Sequence, residues 1–571
     1  MHHRSTLILA GVALLVGGPP VRHSPVVAAP VLDAMRQELS RSLETLKKQP
    51  TPPYFLSYEI TQTHSAYVRG SYGTISGSDE ERRRLLGMDL RVGTPRFDNT
   101  HTVAGSFAGA FGFFNRFSIA MVPLEDDPIA IRRVLWYQTD KMYKRAVEQL
   151  ATVKTGAQLR VAPEDSSPDF SPEPPARYSE PIADIQVDRA AWEKKIRAYT
   201  APFAKYPDIY EGEAHFSAEG ETRWYVNSDG SELQTSSAYY RLLISAYTRA
   251  DDGMILPRYE SFVAFSPNGL PDDSTVAKAV EKMIADLHAL KKAPVVTAAT
   301  APAILSGRAS GVFFHEVFGH RVEGHRQKDE DEAQTFKGKV GERLLPRDFS
   351  VYFDPRERRL GAVELAGYYQ YDNEGVAARR VDVVSNGVFK GFLMSRSPIA
   401  GFAHSNGHGR RQPGLPAVAR QSNLFVTTSK PVPHAELKRM LIAEIKRQNK
   451  PFGLLFDDIE GGFTITTRWS PNAFEVIPIM VYRVFPDGRE QLVRGVDLIG
   501  TPLTAFSRII AADDRMQVFN GICGAESGAV PVSASSPAIL VSQIEVQRKQ
   551  KGQDKPPILP PPTAPSSGVT P

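Results

Sequence analysis

Cysteine is almost missing from this chain: there is one thiol, Cys523, in 571 residues. That excludes an intramolecular disulfide, a Cys₄ or Cys₂His₂ zinc finger and a single-chain iron–sulfur cluster, and with them a disulfide-stapled secreted scaffold. Charge of one sign is scarce too. Lys+Arg 68 against Asp+Glu 64 leaves a formal +4, which is not the footprint of a nucleic-acid binder. Beyond the first 29 residues no stretch reaches the ~18–20 continuous apolar residues of a membrane helix, so no stable membrane span is expected. What is present is globular in kind. Apolar residues make up 42% and charged residues 23%, enough for a large core. At roughly 100–200 residues per domain, the length suggests two to four domains.

Residues 1–29 carry Arg4, an apolar run from Leu7 to Val16, and the small residues Ala28 and Ala29. This is the pattern of a secretory signal: basic, then apolar, then small. The chain is therefore expected to be exported, periplasmic or secreted. Removing this segment takes two arginines and no acid, which leaves +2.

The spacing of Leu32, Met35, Leu39, Leu43 and Leu46 predicts a helix over 31–49, ended by Pro50, Pro52 and Pro53. Short aromatic and β-branched runs from Tyr54 to about Val122 read as strands. Asp127-Pro128 opens a long helix, with Asp as N-cap and Pro at the first helical position. Residues 163–175 are acidic and Pro-rich and are expected as an exposed loop. Residues 207–267 read as antiparallel strands with turns at Glu219-Gly220, Asp229-Gly230 and Asp252-Gly253. A second amphipathic helix covers 273–291, and 293–303 reads as a plain connector. Beyond it comes a helical motif, then β-rich sequence with a helix at 433–448, then a Pro-rich disordered tail from 549. The expected fold class is α+β. A signal segment (1–29) precedes an N-terminal α+β domain (30–300) of long helices and antiparallel strands. A β-rich C-terminal domain (301–548) follows, carrying the distorted helix around His315 and the Cys523 turn.

The chemistry concentrates at His315-Glu316-x-x-x-His320. Imidazoles are good zinc ligands, and a glutamate beside the first can activate a water. The spacing is one residue longer than in the HExxH pattern. At ~100° per residue, positions i and i+5 lie about 140° apart on a regular helix, so two such histidines do not readily grip one ion. The motif predicts a distorted helix, with a π-type turn or the freedom of Gly319 as the means. Thirteen histidines make chance pairs common, so a third ligand is needed. Glu323, His325, a distant carboxylate and Cys523, in the Gly-flanked segment Asn520–Ala525, are the candidates.

At this point an ordered series of motifs comes into view. Gly319-His320 continues into Val322-Glu323-Gly324. Then follow Gly338-Lys339-Val340-Gly341-Glu342, Tyr371-Asp372-Asn373-Glu374-Gly375-Val376 and Gly407-His408-Gly409-Arg410-Arg411. Gly461-Gly462, Leu498-Ile499-Gly500, Cys523-Gly524 and Val530-Pro531-Val532 complete it. In this series the chain resembles the TldD/PmbA family of zinc metallopeptidases, most strongly over 305–545. The departures are His408, where Asn is expected, and His325, where an acid is usual. The resemblance implies that His315, His320 and Cys523 hold one zinc ion per active site and that Glu316 is catalytic. It also implies unfolded peptides as substrates, held mainly through their backbone, and a homodimer or a heterodimer with a related subunit.

A developing oxyanion needs a charged partner, and Arg410 and Arg411 are candidates for it. Glu323 is expected to orient a partner rather than bind metal, and His325 to lie beside the site or at the surface. Two other readings stay open. One is a non-hydrolytic peptide-binding or chaperone-like protein with a structural metal; the other is an inactive partner subunit, against which the intact His315, Glu316, His320 and Cys523 argue. A nucleic-acid role conflicts with the signal segment and the near-neutral charge.

Overall fold

The computed structural model describes residues 30–101, 120–158, 164–296, 298–468, 474–500 and 502–549, with Pro557 and Pro562. The expected signal segment lies outside the described residues, as does nearly all of the Pro-rich tail. The architecture is α+β, built on two large sheets.

The first sheet rests on two long antiparallel hairpins. Pro53–Ser71 turns into Thr74–Thr94, and Ile209–Asn227 turns into Glu232–Arg249 at Asp229-Gly230. Pro53–Ser71 and Ile209–Asn227 lie side by side and join the hairpins, and Ile255–Ala264 adds a further strand after the Asp252-Gly253 turn. Alternation along Pro53–Ser71 divides its labour. Leu56, Tyr58 and Ile60 pack under the helices Pro30–Leu46 and Pro128–Gln158. Glu59, from the opposite face, reaches the C-terminal region. The predicted cap is in place: Asp127 Oδ1 accepts the Ala130 amide at 2.7 Å. Arg189–Thr200 and Asp273–Lys292 cover the rest of the helical face, over a core of Phe216, Leu242, Val280 and Leu287.

Three expectations change here. Glu219-Gly220 is not a turn: the strand runs through it, with Gly220 paired to His64 on one side and Ala238 on the other. Of the 163–175 segment, residues 164–175 are irregular but not fully exposed, since Asp165, Asp169, Phe170 and Ser171 are buried. The connector 293–303 runs into the strand Ala299–Leu305, which pairs with Gly453–Thr464 and Gly528–Arg548.

In the second sheet the pairings close on themselves. They run from Gly528–Arg548 through Val496–Gly500, Phe474–Val484, Gly453–Thr464 and Ala299–Leu305 and back to Gly528–Arg548. From this ring Gly528–Arg548 also extends to Ile509–Ala525 and, through Asn423–Thr428, to Phe349–Phe353. The helix Gly307–Val317 packs against the ring through Val312, Phe313, Phe314 and Val317. All of its residues except Arg308 are buried, so it keeps almost no solvent face. Among the described residues no helix is long and apolar enough to cross a membrane.

Candidate metal centre

Ser306 caps the helix Gly307–Val317 through the Ala309 amide. Regular α-structure ends at Val317, and Gly319–Val322 follows as a 3₁₀ turn. The distortion implied by the longer spacing is thus a helix end tightened into 3₁₀, not a π-turn. It swings His320 back towards His315, with ring centroids 5.0 Å apart and planes at 85°. Cys523 arrives from the far end of the chain. It lies not in the expected turn but within the strand Ile509–Ala525, paired to Val530, just ahead of the tight Glu526-Ser527 connection. Its Sγ is 3.4 Å from His320 Nε2.

One donor atom from each of His315, His320 and Cys523 lies within 4.8 Å of the others, and all three residues are buried. An ion at the usual distances of about 2.3 Å to sulfur and 2.0–2.1 Å to nitrogen reaches all three with small adjustments, and a thiolate with two imidazoles suits zinc. The residues present fit the group. Glu316 stands beside them, Oε2 at 3.9 Å from His320 Nε2.

Burial opposes the thiolate, but His320 and His315 outweigh it and hold the Cys523 thiol well below its ordinary value. Burial likewise opposes the His320 cation, and the Cys523 and Glu323 charges override it and raise the imidazole well above its ordinary value. For Glu316 burial wins and pushes the carboxyl up. Glu323, fully buried, is drawn down to about 2: burial opposes this, but His320 and Arg326 prevail. Its Oε2 is 3.2 Å from His320 Nδ1, the arrangement that fixes a ligand imidazole. His325 pairs with Glu526, which also binds Arg326 at 2.8 Å. The Glu526 carboxylate comes from the connection that follows Ile509–Ala525.

A cavity of about 1890 Å³ opens over His315, Glu316, His320 and Cys523 and is walled on the other side by Tyr259, Ser261 and Val263 of the first sheet. It exceeds the ~300–1,000 Å³ of small-molecule pockets. Gly461–Thr464 and Val518–Glu526 border it.

Arg410 and Arg411 are not brought to this cavity. Arg411 pairs with buried Glu59 at 3.2 Å. Arg410 lies over the Tyr369 ring and donates to the Gln421 carbonyl at 2.6 Å. Both are committed to buried partners between the two sheets. The guanidinium at Cys523 belongs instead to Arg420, with Nη2 at 3.2 Å from Sγ. Its neighbour Gln421 reaches His315. The only signal for these two was a run of polar residues, Arg420–Asn423, directly ahead of an apolar strand. His408 is buried against Ser422 Oγ at 3.1 Å, and burial pushes it down to about 3, so it stays neutral.

Residues 298–548 match the PmbA/TldA metallopeptidase C-terminal domain. They belong to the TldD/PmbA family. A protein of Methanocaldococcus jannaschii named a metalloprotease is 27% identical over 231 residues, 40% of this chain and 47% of that one. A metalloprotease of Archaeoglobus fulgidus is 26% identical over 237 residues, 42% and 51% of the two chains. The chain thus spans about half the length of these curated relatives. Among solved structures, TldE from Thermococcus kodakarensis superposes with a TM-score of 0.58 at 14% identity, covering 90% of this chain and 100% of that one, a likeness of fold.

Proposed function

We propose that the protein is a zinc-dependent metallopeptidase that hydrolyses unfolded peptides with little regard for side chains. The observation that carries this is the three-donor cluster of His315, His320 and Cys523, with Glu316 against it, opening into a cavity of about 1890 Å³. Three protein donors, rather than the four of a structural site, leave a position for chemistry. The zinc, when bound, supplies Lewis acidity at the scissile carbonyl. Glu316 accepts the proton of the attacking water and returns it to the leaving amine. Glu323 holds the His320 ring through Nδ1.

Tolerance for sequence follows from the walls. Among the described residues, Met516–Ala525 pairs on one side only, with Gly528–Arg548, and Gly461–Thr464 pairs only with Phe474–Val484. A peptide laid along either edge is held by main-chain hydrogen bonds, which do not read side chains. Export is proposed from the pattern of residues 1–29. A two-subunit assembly, homodimeric or with a related subunit, completes the reading. The exposed Met121, Ile129, Trp136 and Tyr137 supply apolar surface for it.

The test is a digest of an unfolded peptide, read by mass spectrometry, alongside metal analysis. Cys523→Ala is expected to lose zinc; retained stoichiometric zinc would remove Cys523 from the site. Glu316→Gln is expected to keep zinc and lose cleavage. A wild type that binds such peptides but never cuts them, even with a partner subunit present, makes the protein a binding module.

A further inference from the structure

Four consecutive polar residues, Arg420, Gln421, Ser422 and Asn423, are each 0% exposed. Burying such a run without partners costs heavily, so its contacts carry meaning. The Arg420 guanidinium makes several. Nη2 donates to the Cys523 carbonyl at 2.8 Å and lies 3.2 Å from its Sγ. Nη1 donates to Ser527 Oγ at 2.7 Å and to the Gly528 carbonyl at 3.0 Å, so the whole connection after Cys523 is gripped. Nε is 3.4 Å from Glu323 Oε1. The other oxygen of Glu323 holds His320 Nδ1 at 3.2 Å. One side chain thus touches one metal donor and, through a carboxylate, a second.

The next residue reaches the third. Gln421 Nε2 donates to the His315 carbonyl at 3.3 Å and lies 3.5 Å from His315 Nε2. Its seat is made by Gly319, where a Cβ would lie 1.9 Å from Gln421 Oε1. The helix end that turns His320 inward is therefore also the gap that admits the amide against His315.

We propose that the dipeptide Arg420-Gln421 positions all three metal donors, and that Arg420 also tunes the thiolate by donating a charged N–H to it. This rests on the metal-centre reading above. The need is plain from the chain: the histidines and Cys523 lie on segments about 200 residues apart, and packing of Gly307–Val317 on Ile509–Ala525 with the His325 and Arg326 pairs to Glu526 leaves the donor atoms themselves to be held by side chains. A planar guanidinium fixes several acceptors in one geometry, which a flexible ammonium does not. A charge-assisted N–H···S contact withdraws electron density from sulfur and so changes the metal as well as the ligand's place.

Cobalt(II) titration of the full chain tests this, read by absorption and by competition with a chromophoric chelator. Wild type is expected to show a thiolate-to-cobalt charge-transfer band. Arg420→Met binds at least ~10-fold more weakly, and its band moves to lower energy because the sulfur lone pair is no longer stabilised. Arg420→Lys keeps a charge opposite Glu323 and regains part of the affinity but not the band position. Gln421→Met also loses about 10-fold, with the band in place, since it touches only His315. Folded Arg420 variants with wild-type affinity and band overturn the role of Arg420, and the Lys variant decides if the Met variant does not fold. Wild-type affinity in Gln421→Met removes Gln421. A wild type that takes up neither cobalt nor zinc defeats the metal reading itself, whereas one that binds metal but cuts no peptide defeats only the peptidase reading.

Discussion

A methyl group at position 462 is enough to displace Glu316. A Cβ there would sit 2.7 Å from Glu316 Cγ and 2.9 Å from the Glu475 carbonyl. The carbonyl is held in its strand, so the glutamate must move. A shift of ~1 Å at a reacting group costs on the order of 10²-fold in rate. Gly462→Ala is therefore expected to retain zinc while kcat for peptide hydrolysis drops by about that factor; an unchanged kcat would show that the position of Glu316 does not matter to the step. Residues of this kind mark the limit of reading from sequence. His315, Glu316, His320 and the lone Cys523 stand out by type and spacing. Arg420 does not differ in type from Arg410 or Arg411, and the Gly-rich segment made the latter two look the better candidates. What separates them is where the fold sets them: Arg420 against Cys523 and Glu323, Arg411 against Glu59. That is a property of pairings between distant segments, and no local pattern carries it.

Among the elements, the irregular segment before Arg177 holds more than its composition suggests. Phe170 is 3% exposed and lies between two guanidiniums, Arg91 at 3.9 Å and Arg396 at 4.0 Å from its ring centroid, with Phe55 at 4.7 Å. Arg396 also donates to the Ser171 carbonyl at 2.9 Å and, in turn, its carbonyl accepts the Ser171 amide at 2.8 Å. Phe170 and Ser171 thus strap the first sheet to the irregular stretch around Arg396 in the C-terminal region. Phe170→Ala is expected to cost about 3–5 kcal/mol, with the cation–π contacts at the upper end of that range. Urea denaturation checks it, and a change under 1 kcal/mol would show the strap to be idle. Acids and prolines in 163–175 pointed outward because composition does not show that Asp165 and Asp169, just ahead of Phe170, are buried and accept the Ala400 and Asp98 amides. The regular elements were far more legible. Apolar spacings of three and four marked Pro30–Leu46 and Asp273–Lys292, and the Asp127 cap marked the start of Pro128–Gln158. Glu219-Gly220 misled because a turn dipeptide also sits in a strand when both edges are paired.

For the molecule as a whole, the seam between the two sheets is charged and buried, and it makes stability depend on pH. Arg223, on the first sheet, donates to the Tyr371 and Asp372 carbonyls at 3.0 and 2.7 Å, and Tyr225 donates to the Glu374 carbonyl at 3.1 Å. Two carboxylates therefore sit at the seam. Asp372 accepts the amides of Glu374, Val376 and Gly409, each at 2.9 Å, so it is the better-solvated anion. Glu374 accepts one amide, from Arg396 at 2.6 Å. Burial pushes its carboxyl up from 4.5 to about 8, with the Asp372 charge adding to the shift, and burial raises Asp372 as well, so the two titrate as a pair. Between those values the folded chain keeps a proton that the unfolded chain has released. Stability from this group is complete below about pH 4.5 and is lost as the pH rises through 8. Other groups add their own slopes, so the informative quantity is the difference made by Glu374→Gln, which stays neutral and still accepts the Arg396 amide. The Tm of the wild type relative to this variant is expected to fall steadily as the pH is raised from 5 to about 8. Parallel curves for the two proteins across that window would mean that Glu374 is ionised in the folded chain and that the seam carries its charge without cost.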